Sequence, residues 1–152
     1  MEPNTENIRI CFVKTHEDAR LPERNDKTPL IGDSGYDVYA VEDAVIPANN
    51  TANVAIGLEL GFITPGYWIR VESRSGMFFK HGITSFCGII DAGFRGRISI
   101  ALINNTNVDY LVKKGDRISQ LVIYKLIEPE TCWVESKDIT SRGDKGFGSS
   151  GR

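Results

Sequence analysis

Residues 54–60 read VAIGLEL, and every second side chain from Val54 to Leu60 is apolar. Successive side chains of a β-strand point to opposite faces of the sheet, so this spacing predicts a strand with one buried face. The same alternation recurs in residues 8–12 and 98–102. Strands are therefore the main predicted element of this chain.

Short runs of turn-forming residues separate the apolar segments. They are Gly32-Asp33, Ala48-Asn49-Asn50, Thr64-Pro65-Gly66, Asn104-Asn105 and Lys114-Gly115-Asp116. The strongest helix candidate, residues 75–80, is only one or two turns long. The 152-residue chain is therefore predicted to be a single all-β domain, either a barrel or a sandwich.

The composition narrows the class of partner. With 41% hydrophobic residues, 25% charged residues and a net charge of −2, the chain has no overall positive field that would attract nucleic acid or a membrane surface. No apolar run reaches the ~18 residues of a membrane span, and the first residues lack the features of a signal peptide. The three cysteines have no C-x-x-C spacing and are expected to be free thiols. We expect a cytoplasmic protein.

The last ten residues differ in composition from the rest. Residues 143–152 contain four glycines and two serines, with Phe147 as the one large apolar residue. Composition alone favours a disordered tail, whereas the isolated aromatic ring favours a segment that closes over a flat ligand. GFGSSG at 146–151 matches G-x-G-x-x-G, but the chain ends one residue later, so no Rossmann helix can follow. Glycine-rich backbone beside Arg142 and Lys145 can still bind phosphate oxygens.

Three internal segments carry further candidate site residues. Ser73-Arg74-Ser75-Gly76 can converge on a tetrahedral anion, although such clusters are more often surface turns. Residues 88–96, GIIDAGFRG, are predicted to form a β-hairpin in which Asp91 ends an apolar strand. A carboxylate kept dry there suits a general base, and an Asx turn is the simpler alternative. Asp37 lies in a strand-like run and would face a cavity, a partner or solvent.

Five segments in order resemble the five motifs of the trimeric dUTPase family. They are SGYDVYA (34–40), SRSGM (73–77), GIIDAGFRG (88–96), KGDRISQL (114–121) and RGDKGFGSSG (142–151). Together they extend over nearly the whole chain, so their joint agreement is far more specific than any one match.

This resemblance implies a jelly-roll-like β fold with a flexible glycine-rich C-terminal arm. The β domain would occupy residues 1–135 and the arm, with the fifth motif, residues 136–152. The protein would be a homotrimer with shared active sites. Each site would take the first, second and fourth motifs from one subunit, the third from another and the fifth from the third.

The resemblance also implies the reaction and the role of each matched residue. The enzyme would be a dUTP diphosphatase that cleaves dUTP to dUMP and pyrophosphate, which limits uracil in DNA and supplies dUMP for dTMP synthesis. Asp91 would be the base that activates water for attack on the α-phosphorus, and Asp37 would hold Mg²⁺ through water. The implied substrate-binding residues are Arg74, Ser75, Gly76 and Gln120 at the phosphates, Gly88, Ile90 and Phe94 at the base and sugar, and Arg142, Phe147, Gly148 and Ser149 from the arm.

Three residues depart from the usual family pattern. Phe94 replaces a tyrosine beneath the deoxyribose, Ser85 stands where some members have an asparagine near the base, and Lys145 replaces a glycine. The first change keeps the ring that would crowd a 2′-hydroxyl. None of the three removes Asp91, Asp37 or Phe147, the aromatic residue that the resemblance implies stacks on the uracil.

Two alternative functions remain open from the sequence. The first is a dCTP deaminase on the same fold, which Asp91 and the complete fifth segment disfavour. The second is a nucleotide-sensing regulatory protein that uses the dUTPase scaffold to control a partner. Binding of dUTP without turnover would distinguish this second case from the enzyme.

Overall fold

The computed structural model describes residues 6–146 and contains ten β-strands and one short α-helix in that range. The strands are β1 (Ile10–Lys14), β2 (Tyr36–Tyr39), β3 (Ala44–Ile46), β4 (Thr51–Ile63), β5 (Tyr67–Glu72), β6 (Ile83–Ser85), β7 (Ile89–Ile90), β8 (Arg97–Asn104), β9 (Tyr110–Val112) and β10 (Arg117–Lys125), and the helix is α1 (Ser75–His81). The predicted all-β class is confirmed, and the one helix begins where the sequence placed it.

Two four-stranded sheets form the body of the domain. One has the order β1-β4-β8-β6 and the other β2-β10-β5-β7, while β3 and β9 form a separate two-stranded sheet. Every strand pair is antiparallel. A single core contains buried residues of both larger sheets, such as Leu102 on β8 and Leu121 on β10. Two antiparallel sheets packed on one core form the predicted jelly-roll-like sandwich.

The alternating segment that predicted a strand lies at the centre of this core. Val54, Ile56, Leu58 and Leu60 are each at most 3% exposed. The pairing of β4 with β8 shifts register between residues 55 and 58, where Gly57 has φ +71°. A side chain at residue 57 would also approach two neighbouring Cβ atoms within 2.8 Å, so only glycine fits this bulge.

The third motif segment does not form the predicted hairpin. β7 pairs only with β5, whereas β8 pairs with β4 and β6 in the opposite sheet. The hairpin prediction is wrong because residues 91–96 carry the chain from one sheet to the other. Asp91 nevertheless directly follows the strand, as the sequence indicated.

The segment after β10 has no regular structure as far as residue 146. Several of its apolar side chains are fully exposed in the single chain, including Trp133 at 98% and Ile139 at 99%. In the part of the chain that the structure describes, no helix is long and apolar enough to cross a membrane.

Candidate active site

The first, second and fourth motif segments meet at a cavity of about 590 Å³, which we call the Arg74 cavity. Asp37 belongs to β2 and Gln120 to β10. Three further residues of the cavity lie at the start of α1. The predicted site residues on its wall are Asp37, Arg74, Ser75, Gly76 and Gln120. The fold therefore assembles at one place residues that are far apart in the sequence.

Asp37 is paired with two arginines at this cavity. Arg74 Nε donates to Asp37 Oδ1 at 2.8 Å, and Arg117 Nη1 lies 3.6 Å from Oδ2. Arg74 Nη1 also donates to the Arg117 carbonyl oxygen at 3.2 Å. One buried carboxylate thus pairs with two guanidinium groups, which leaves one guanidinium charge of this cluster for an anion. Asp33 and Glu72 also border the cavity, and Glu72 is paired with Arg70. Arg117 was missed as a site residue, although its place in the fourth motif segment could have indicated it.

The start of α1 adds backbone donors to the same cavity. Its first hydrogen bonds run from the Met77 and Phe78 N–H groups to the Arg74 carbonyl, at 3.2 and 3.3 Å. The N–H groups of Ser75 and Gly76 precede them, and no side chain caps this end of the helix. N–H groups in the first turn of a helix have no partner within the helix, so these two can donate to a phosphate oxygen.

A network of polar side chains fixes the peptide that leads into Arg74. Gln120 Nε2 donates to the Ser73 carbonyl at 2.9 Å, and the Ser73 hydroxyl accepts from the Ser85 N–H at 2.8 Å. The buried hydroxyls of Ser85 and Ser119 are 2.9 Å apart. A Cβ added at Gly35 would lie 1.9 Å from Gln120 Oε1, so this glycine leaves the space that the amide occupies.

Gly35→Ala is expected to destabilise the protein by about 1–3 kcal/mol, because the added methyl forces Gln120 away from Ser73. Thermal and denaturant unfolding at fixed protein concentration measure the effect. The three atoms nearest to the added Cβ all belong to Gln120, so the same change in a Gln120→Ala background should cost about 1 kcal/mol less. Equal costs in the two backgrounds would contradict this account.

The third motif segment borders a second cavity, of about 340 Å³, which we call the Asp91 cavity. Gly88, Ile90, Asp91 and Phe94 all lie on its wall. Asp91 is exposed, so the dry environment predicted for it does not exist in the single chain. The physical reason is that β7 is only two residues long and the backbone leaves the sheet immediately after it. The carboxylate is therefore open to water and to a ligand.

The backbone of Gly88 is already hydrogen-bonded within the chain. Its N–H donates to the Phe86 carbonyl at 3.0 Å, and its carbonyl accepts from the Val71 N–H at 2.9 Å. Ile90 pairs with Ile69 of β5. A base contact at Gly88 is therefore restricted to the second lone pair of its carbonyl oxygen.

Of the predicted arm residues, Arg142 is the one within the described range, and it lines neither cavity. Arg142 is exposed, and its Nε donates to the Lys145 carbonyl at 3.0 Å within a local turn. Phe147, Gly148 and Ser149 lie outside the described residues. The arm's contribution to a site thus stays a prediction.

The Arg74 and Asp91 cavities have no lining residue in common. The first holds two arginines and backbone donors that suit phosphates, together with carboxylates, and the second holds Asp91 and Arg97 beside aromatic rings. Among the described residues, the two halves of the predicted site therefore border different cavities.

Comparison with known proteins identifies the family. A family model described as dUTPase matches residues 23–151. The deoxyuridine 5′-triphosphate nucleotidohydrolase of Debaryomyces hansenii is 41% identical over 97% of this chain and 89% of its own length. The enzyme of the same name from Paramecium bursaria Chlorella virus 1 is 38% identical over 93% of this chain and 97% of its own length.

The chain belongs to the dUTPase family. Solved structures agree with this assignment. The dUTPase of Staphylococcus bacteriophage 80alpha with dUPNHPP, described as controlling transfer of virulence genes by a proto-oncogenic G protein-like mechanism, has a TM-score of 0.83 at 30% identity over 95% of this chain and 99% of that one. A dUTPase variant from phage phi11 of S. aureus, in which the coordination of a structural Mg(II) ion is described, has a TM-score of 0.75 at 28% identity. The match covers 86% of this chain and 99% of that one.

These findings confirm the family predicted from the five motif segments, and with it the enzyme class, dUTP diphosphatase. They also remove the support for a deaminase, since the matched relatives are named as dUTPases.

Proposed function

We propose that this protein hydrolyses dUTP to dUMP and pyrophosphate, acting on the cytoplasmic nucleotide pool to limit uracil in DNA and to supply dUMP for dTMP synthesis. The observation that carries the proposal is that a member of the dUTPase family has one cavity with the Arg74 and Arg117 guanidinium groups and a second cavity with the Asp91 carboxylate and aromatic rings. The triphosphate of a nucleotide suits the Arg74 cavity, and its base and sugar suit the Asp91 cavity.

The triphosphate binds at the Arg74 cavity in this proposal. The Arg74 guanidinium, oriented by Asp37, neutralises charge, while the N–H groups of Ser75 and Gly76 donate to phosphate oxygens. Gln120 contacts the region of the α-phosphate. Fixed donors of this kind stabilise the negative charge that develops during attack, which is the main electrostatic contribution expected in such chemistry.

Asp91 acts as the general base. Its carboxylate takes a proton from water while the water oxygen forms a bond to the α-phosphorus. The bond between that phosphorus and the bridging oxygen to the β-phosphate breaks, and pyrophosphate leaves with the electron pair. The exposure of Asp91 supports this role because the attacking water can reach it.

The residues present fit a magnesium ion held largely by the substrate. Within residues 6–146, no group of three His, Cys, Asp or Glu side chains could hold a metal ion. Asp37 would help to hold the ion indirectly and not as a direct ligand, because its carboxylate is already paired with Arg74 and Arg117. When bound, Mg²⁺ supplies further neutralisation of the triphosphate charge.

We further propose that the active enzyme is a homotrimer. The two cavities of one chain share no lining residue, and a second copy of the chain would bring an Asp91 cavity to each Arg74 cavity. The exposed apolar residues Trp133, Val134 and Ile139 support the same conclusion, because such side chains are stabilised when another subunit covers them. The arm of a third subunit would complete the site with Arg142, Phe147, Gly148 and Ser149.

Base and sugar selection is assigned to the Asp91 cavity. Gly88 and Ile90 border the place of the uracil, and Phe94, 43% exposed, borders the deoxyribose. Cytosine reverses the donor and acceptor pattern of uracil, and a close wall excludes the 5-methyl of thymine. The Phe94 ring excludes a 2′-hydroxyl.

The test is pyrophosphate release from dUTP, dCTP, dTTP and UTP in parallel, with Mg²⁺ and with a chelator. Rapid release is expected from dUTP. Release from the other three nucleotides should be slower by about 10- to 100-fold or more, because each of them either leaves a buried polar group unpaired or clashes with the cavity wall. Chelation should remove most of the activity. Equal hydrolysis of dUTP and UTP would contradict the role given to Phe94.

A second candidate, nucleotide sensing coupled to a protein partner, is favoured by one observation. The phage 80alpha relative is described as controlling gene transfer by a G protein-like mechanism. Tight dUTP binding without release of pyrophosphate would favour nucleotide sensing over hydrolysis as the function of this protein.

A further inference from the structure

An exposed aromatic ring, Phe86, shares the wall of the Asp91 cavity with Asp91 and Phe94. It lies between β6 and β7, outside the segments matched to the five motifs, and is 65% exposed. Phe86 is thus a large apolar side chain beside the carboxylate to which the proposed function assigns the chemistry. None of the site roles already described uses it.

Two hydrogen bonds hold the main chain at Phe86. The Phe86 N–H donates to the Ala101 carbonyl of β8 at 2.8 Å, and the Phe86 carbonyl accepts from the Gly88 N–H at 3.0 Å. The ring also leans over Gly88, because a Cβ added there would lie 3.1 Å from its Cε1. The glycine provides the space in which the ring lies at the cavity wall.

We propose that Phe86 is a substrate-binding residue whose ring packs against the uracil ring of the bound nucleotide. The proposal rests on the proposed function, since the occupant is the nucleoside half of dUTP. A cavity of about 340 Å³ lies within the range of small-molecule sites, and its wall combines apolar surface with the Asp91 carboxylate. Stacking on an aromatic ring is favourable for a planar base and does not depend on its polar edge.

This placement separates two contributions to substrate recognition. Phe86 strengthens binding of the base, whereas the Arg74 cavity binds the phosphates. Because the ring contacts the base and not the reacting phosphorus, its contribution is equal in the ground state and the transition state. Loss of such an interaction raises KM and leaves kcat unchanged.

Phe86→Leu is expected to raise KM for dUTP about tenfold while kcat stays within about twofold, which is in the range for loss of one stacking ring. Phe86→Tyr, which keeps the ring, should restore KM to within about twofold of the original. Phe62→Leu is the matched control, because Phe62 is also an exposed phenylalanine, at 43%, and borders neither cavity.

An unchanged KM in Phe86→Leu, or a fall in kcat without a change in KM, would overturn the proposal. So would an equal effect of Phe62→Leu. If the unaltered protein does not hydrolyse dUTP, the proposed function fails. The variants are then titrated calorimetrically with dUpNHpp, the nucleotide in the phage 80alpha dUTPase structure. A tenfold weaker Kd for Phe86→Leu alone supports the base contact independently of turnover, whereas equal Kd values or no binding overturn it.

Discussion

Asp91→Asn is expected to lower kcat for dUTP by about 10²- to 10⁴-fold, the range typical of a lost general base. The amide has nearly the same size as the carboxylate but cannot accept the proton of the attacking water. Nucleotide binding should persist, because the phosphates contact the Arg74 cavity, which shares no residue with the Asp91 cavity. Pyrophosphate release measures kcat, and calorimetric titration with dUpNHpp measures Kd.

The matched control for this change is Asp109→Asn. Asp109 Oδ1 accepts a hydrogen bond from the Ala48 N–H at 2.9 Å, at a turn that borders neither cavity, and an asparagine keeps that acceptor. Its kcat should stay within about twofold of the original value. Near-normal turnover in Asp91→Asn would exclude the carboxylate as the base, and loss of binding would show that it serves mainly to hold the nucleotide.

Removal of residues 142–152 is expected to lower kcat/KM for dUTP by at least about 10²-fold, the usual effect of losing a single fixed donor at the reacting charge. The deleted segment carries the cation of Arg142, the ring of Phe147 and the hydroxyl of Ser149. Steady-state kinetics measure the loss.

The oligomeric state should not change in the same truncated protein. Arg142 is exposed, and the hydrogen bonds of its turn stay within residues 140–145. Sedimentation velocity measures the assembly. Deletion of Arg152 alone, which leaves the fifth segment complete, is the control and should keep full activity. A truncated protein as active as the full chain would show that the arm does not belong to the site.

The sequence determined the strand class, the short helix and the segments that carry the site. Apolar alternation from Val54 to Leu60 is a local property, and all its apolar positions are buried in β4. The five motif segments can likewise be recognised from their residues without knowledge of the fold. These features were predictable because neighbouring residues alone decide which face of a strand is apolar.

Only the tertiary structure decided how the segments meet. The Asp37 to Arg74 ion pair joins residues 37 positions apart, and the Gln120 to Ser73 hydrogen bond joins residues 47 apart. The sequence also predicted a hairpin at 88–96 where the chain crosses between sheets, and a dry Asp91 where the carboxylate is exposed. Strand partners and the accessibility of a strand end depend on contacts between distant segments, and local periodicity contains no information about those contacts.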